Sequence, residues 1–183
     1  MGFLVIGLLF WSLGHLLPRA NPGLRARVGP GLVRISMALS IGAGLLLVIL
    51  GFRAAPYVAV WTPPFWAIHL NNLMMLGAVI LFGMGKSKGR ARSWLRHPML
   101  TGVIVWALAH LLVNGDLAAI LLFGGMLVWA VLEIAVINAT SPAWVRPAPG
   151  PVSGDLRLVA IGLVLFGVIG MIHTWLGYSP FPG

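Results

Sequence analysis

The sequence predicts an all-α membrane protein: a polytopic bundle of about six transmembrane helices forming one domain over residues 1–183. Three observations carry this. Of 183 residues, 60% are hydrophobic and only 8% charged, whereas a soluble domain needs roughly a quarter of its residues charged to cover its surface. Apolar runs recur at the length a bilayer requires, about 20 residues each. The cations gather in alternate connections, the pattern that orients a membrane protein. Five or six spans use nearly the whole chain, which leaves no room for a large extramembrane catalytic domain. With no Cys in the chain, disulfides, thiolate metal sites, iron–sulfur clusters and covalent c-type haem are excluded.

The spans fall near 2–17, 32–52, 64–84, 98–114, 117–138 and 157–177. The first run lacks a positive n-region and a small-residue cleavage site, so it is expected to remain as an uncleaved span. Pro18, Pro22 and Pro30 interrupt the first connection, and Pro56, Pro63 and Pro64 the second. Residues 83–90 are loop by composition. Asn114-Gly115-Asp116 is a tight turn in which Asp116 suits the N-cap of the fifth span. Four prolines and two glycines make 141–154 a connector.

Arg19, Arg25, Arg27 and Arg34 mark the first connection, Lys86, Lys88, Arg90, Arg92 and Arg96 the third, and Arg146 and Arg157 the fifth. That is 11 of the 12 cations on one side, with Arg53 alone on the other. The positive-inside rule then puts both termini in the periplasm of a multi-pass inner-membrane protein. The excess of 12 cations over 3 acids is thereby explained by orientation; membrane lipid is the expected partner and nucleic acid is not.

All five histidines lie in or at the ends of spans, where ionisable groups are costly and point to function. A rise of about 1.5 Å per residue from the bounding cation places His110, His173 and His69 about 21–26 Å deep, in one outer layer. His15 beside Arg19 and His97 beside Arg96 form a second layer. Trp106, His110 and Asn114 share a helical face, and Asn72 lies one turn from His69. An Asn can hold the second nitrogen of a metal-bound imidazole. Paired neutral imidazoles without Cys or clustered carboxylates suit b-type haem iron better than zinc or di-iron. Gly102, Gly124 and Gly125 are small enough to admit a flat macrocycle or, equally, to pack helices.

At the cation-rich end, Arg96-His97-Pro98 opens the fourth span with Pro at a permitted first-turn position. Glu133 returns to the same end, where a buried carboxylate needs a cation such as Arg96 or Arg157. Arg96, His97 and Glu133 form either a structural ion pair or a polar site for an anionic cofactor group.

The stretch Arg96-His97-Pro98-Met99-Leu100-Thr101-Gly102, with Trp106 to Asp116, Gly14-His15 and His173-Thr174-Trp175-Leu176-Gly177-Tyr178-Ser179-Pro180, resembles the NnrU domain family along essentially the whole chain. That family is similar to the plant and cyanobacterial 15-cis-ζ-carotene isomerase, a membrane haem b enzyme; its bacterial members are associated with denitrification and nitric oxide metabolism. The resemblance implies haem b, an electron donor, a lipid-soluble polyene or nitric oxide as ligand, and iron ligation by His15 and His110. Ala107 stands where the isomerase has a Cys, so a Cys-based ligand switch cannot operate. Depth arithmetic separates His15 from His110 by roughly 15 Å, which makes His69, then His173, the alternative partners of His110. The Arg-His-Pro block also resembles that of membrane methyltransferases, which bind S-adenosylmethionine with a paired Glu; only Glu133 is present here. Four readings therefore stand: a haem-dependent cis–trans isomerase, a non-enzymatic nitric oxide or denitrification accessory, a methyltransferase, and a structural bundle with no cofactor.

Overall fold

A computed structural model describes residues 1–181; the side chains of Pro22 and of Arg25, the latter counted among the cations above, lie outside what it describes. The described residues form seven α-helices: α1 (Gly2–Ala20), α2 (Pro22–Val28), α3 (Pro30–Arg53), α4 (Ala67–Met84), α5 (Pro98–Val113), α6 (Leu117–Thr140) and α7 (Val152–Trp175). A 3₁₀ turn covers Ala91–Ser93. Among the described residues there is no strand, only one bridge between Ala59 and Asp116. Among the described residues five helices have the length and apolarity to cross a bilayer, and α5, at 16 residues, is apolar but shorter. The chain is a multi-pass helical membrane protein.

The helix ends follow local chemistry, with three departures from the apolar-run boundaries. Pro18 does not stop α1, which runs on to Ala20; so near a C-terminus the missing N–H removes one bond from a helix already ending. The first connection holds the short helix α2. The last helix starts at Val152, five residues before the expected 157, because Pro151 precedes it and Asp155 occupies its first turn, where the helix dipole favours an anion. A polar first turn carries no apolar signal. Elsewhere Pro30 and Pro98 open α3 and α5 with φ already set for a helix. Asp116 caps α6 by accepting from Ala119 N at 3.0 Å.

The chain divides into two compact units. The first, Met1–Thr62 with Asn114–Ala143, contains α1, α2, α3 and α6. Its centre is an antiparallel α1–α3 pair in near backbone contact. A Cβ on Gly7 would lie 2.6 Å from Val48 N, and one on Gly44 2.6 Å from Trp11 N. Glycine at both positions lets the axes close to a distance no side chain allows, as small residues do in membrane helix pairs. Ser40 Oγ donates to Phe10 O across the pair at 2.8 Å. Helix α6 packs along α1, where Gly125 faces Leu8.

The second unit, Pro63–Val113 with Trp144–Gly183, packs α5 and α7 against α4. Gly102 of α5 meets the Phe82 ring and Gly162 of α7 meets Ile80. Met84, Ala91 and Leu158 form an apolar cluster with Ile80 and Leu81. Asp155 Oδ1 accepts from Ala91 N at 2.9 Å, tying the start of α7 to the 3₁₀ turn. After α7 the chain folds back: Tyr178 N donates to His173 O at 2.8 Å, and Asn72 Nδ2 to Pro180 O at 2.8 Å.

Candidate functional site

Three histidines are held alike. His15 Nδ1 is 2.8 Å from Trp11 O, His110 Nδ1 2.9 Å from Trp106 O, and His173 Nδ1 2.8 Å from Ile169 O. Each bond reaches back one turn along its own helix, where side chains lean toward the N-terminus. With Nδ1–H donating to a carbonyl, Nε2 carries the lone pair and is the ligating nitrogen. For His110 the spacing offers Asn114 in this role; the helix backbone fills it instead, since the i−4 carbonyl is within reach of any imidazole so directed. Asn114 lies just beyond the end of α5.

Two of these sites are copies. Trp11-Ser12-Leu13-Gly14-His15-Leu16-Leu17 and Trp106-Ala107-Leu108-Ala109-His110-Leu111-Leu112 share Trp, Leu, a small residue, His, Leu and Leu in register. One copy lies in each unit. The rings agree as well: Trp11 and His15 are 4.7 Å apart at 42°, Trp106 and His110 5.2 Å apart at 52°. The duplication is legible in the sequence once the two segments are aligned with each other.

In the second unit His110, His173, Asn71, Asn72 and Met75 line one cavity of about 50 Å³. That volume takes a few water molecules. Asn71 is 6% exposed; its Nδ2 donates to Asn72 Oδ1 at 3.0 Å, while its own Oδ1 is buried without a partner. His69 does not line this cavity. It is exposed in the first turn of α4, with its ring edge-on to Phe65 at 6.4 Å.

In the first unit α1 presents Trp11, His15 and Arg19 at successive turns, and α6 presents Trp129 and Glu133. The Trp129 ring is 5.4 Å from Trp11 and 5.0 Å from His15. Arg19 Nε lies 2.8 Å from Glu133 Oε1, an ion pair without the alignment of a hydrogen bond, and Oε2 has no partner. The described partner of Glu133 is thus Arg19, brought to it because α1 packs along α6. Trp11 Nε1 and Trp129 Nε1 are also buried with no acceptor. An apolar groove of about 440 Å³ runs between α1 and α6 past Leu8, Gly124, Gly125 and Trp129. Of the three glycines considered as room for a macrocycle, Gly102 and Gly125 are taken up by helix packing, and only Gly124 borders open space.

Arg96 and His97 line a separate cleft with Lys86 at the start of α5. Among the described residues no cluster of three or more His, Cys, Asp or Glu is placed to hold a metal ion. Metal binding here would rest on imidazoles delivered by single helices.

Fold and side chains together define a multi-pass helical membrane protein with oriented imidazoles inside its spans. A family model described as NnrU protein matches residues 3–180, and the chain belongs to the NnrU family. No curated protein and no solved structure matches it.

Proposed function

We propose that this NnrU-family protein is a haem b protein of the inner membrane, with both termini periplasmic and His110 as an iron ligand. The observation that carries the proposal is the duplicated Trp–His motif. In both copies the backbone carbonyl holds Nδ1, leaving Nε2 for a metal. The donor set fits haem: neutral imidazoles, no thiolate and no carboxylate cluster. His15 carries the same equipment in the first unit and is itself a ligand by the family resemblance. The cavity that His110 shares with His173 is too small for a porphyrin. His173 is therefore assigned to the polar lining with Asn71, and His69, outside that cavity, ranks below His15.

Bound haem would supply one-electron chemistry and a site for a diatomic ligand. The chain orients the imidazoles and excludes water from them with Trp106 and, around His15, Trp11 and Trp129. The resemblance extends this to cis–trans isomerisation of a lipid-soluble polyene. Expression in a strain that accumulates poly-cis ζ-carotene tests that step. Unchanged isomers there assign the protein to nitric oxide handling instead. The methyltransferase alternative lacks its paired acid, since Glu133 is engaged by Arg19.

The test of haem binding is a reduced-minus-oxidised spectrum of the purified full chain with a haem-to-protein ratio. A Soret band at stoichiometric level is expected in the wild type. It should be lost in His110→Ala, because an open position in an apolar pocket weakens retention. His15→Ala is expected to shift or abolish it, and His173→Ala to leave it. No haem in the wild type, or a wild-type spectrum in His110→Ala, overturns the proposal.

A further inference from the structure

The connection from α4 to α5 carries Lys86, Lys88, Arg90, Arg92 and Arg96 and no carboxylate. The second unit as a whole holds seven Lys and Arg against a single acid, Asp155. Asp155 already accepts from Ala91 N, Asp116 caps α6, and Glu133 is paired with Arg19. Whatever groups of the protein these cations meet, three carboxylates cannot balance them. The remaining counter-charge has to come from outside the chain.

One part of this surface is shaped to take it. Lys86, Arg96 and His97 line a cleft of about 270 Å³ whose other wall is Phe82, Met99 and Leu100. Met99 is 56% exposed and Phe82 38%, so apolar surface continues from the cations along the helices. The cleft adjoins the start of α5, where the first-turn amides and the helix dipole favour an anion. Trp94, in the same connection, is 64% exposed; an exposed Trp beside cations marks the headgroup level of a bilayer.

A phosphate attached directly to acyl chains matches both walls. A soluble phosphate satisfies the cations and leaves the apolar wall unused. We infer that this cleft binds an anionic phospholipid, with the headgroup phosphate at Lys86 and Arg96 and an acyl chain along Phe82 and Met99. The site is independent of haem.

The test uses the full chain purified in nonionic detergent. It is titrated with phosphatidylglycerol, phosphatidylcholine or glycerol phosphate, and bound molecules are counted by native mass spectrometry. Wild type is expected to retain phosphatidylglycerol in preference to phosphatidylcholine. Each cation near a membrane surface contributes about a fivefold factor, so Lys86→Gln with Arg96→Gln should weaken retention about thirtyfold. Lys88→Gln with Arg92→Gln removes the same charge outside the cleft and should have less effect than one cleft cation. Should the cleft double variant fail to fold, Lys86→Gln alone is expected to show the fivefold loss. Met99→Asn should weaken the lipid and leave glycerol phosphate unaffected. Equal losses in the two double variants would reduce the effect to a diffuse field and overturn the site. Absence of headgroup preference, or glycerol phosphate binding as tightly as the lipid, overturns it too.

Discussion

Removing the guanidinium of Arg19 should strand Glu133, and the size of the effect can be worked out. Glu133 is 2% exposed, and among the described residues its charged contact is Arg19 Nε at 2.8 Å. Taking away one partner of a fully buried pair costs about 3–5 kcal/mol. The Arg19 side chain is 42% exposed, so water already screens part of the attraction and can reach the site when it is vacated. That lowers the expected loss for Arg19→Met to about 2 kcal/mol. Glu133→Gln removes the charge and keeps the shape, at about 1 kcal/mol. Combining the two should cost little more than Glu133→Gln alone, leaving a coupling energy of about 2 kcal/mol. The assay is reversible unfolding of the full chain in mixed micelles of rising SDS content, followed by tryptophan emission, since Trp11 and Trp129 flank the pair. Simple addition of the two losses, or a stability unchanged by Arg19→Met, would refute the claim that this ion pair holds α1 to α6.

Three further expectations concern packing and capping. Gly7→Ala places a methyl 2.6 Å from Val48 N; backbone cannot give way there, so the α1–α3 pair must separate, at about 3 kcal/mol or with loss of folded protein. Gly124→Ala, with nothing within 4 Å of its Cβ, should be neutral or stabilise α6 by about 1 kcal/mol in the same unfolding assay. Asp116→Ala removes the acceptor of the Ala119 N–H and should cost about 1 kcal/mol, read as faster amide exchange confined to the first turn of α6.

Membrane class and helical architecture are legible in the sequence, because a bilayer imposes length and apolarity on each span separately. Asp116 as a cap and Pro98 as a first-turn residue were legible for the same reason: both are decided within a few residues of themselves. The clues to the site were only partly so. His110 stands out because an imidazole inside an apolar run is conspicuous, but the partner of its Nδ1 is the carbonyl one turn back, which side-chain spacing does not reveal. The motif copies at 11–17 and 106–112 were present in the sequence and needed an internal comparison to be noticed.

Which residues meet across helices was decided by tertiary structure alone. Glu133 could be matched with Arg96 or Arg157 from depth along the membrane normal, a coordinate that the helical rise supplies. Depth does not say which helices are neighbours. That α1 runs beside α6, giving the carboxylate to Arg19 and placing Trp129 against His15, depends on the α1–α3 contact through Gly7 and Gly44 and on Gly125 admitting Leu8. Lateral order among apolar rods arises from the shapes of their small residues, and linear spacing carries no record of it.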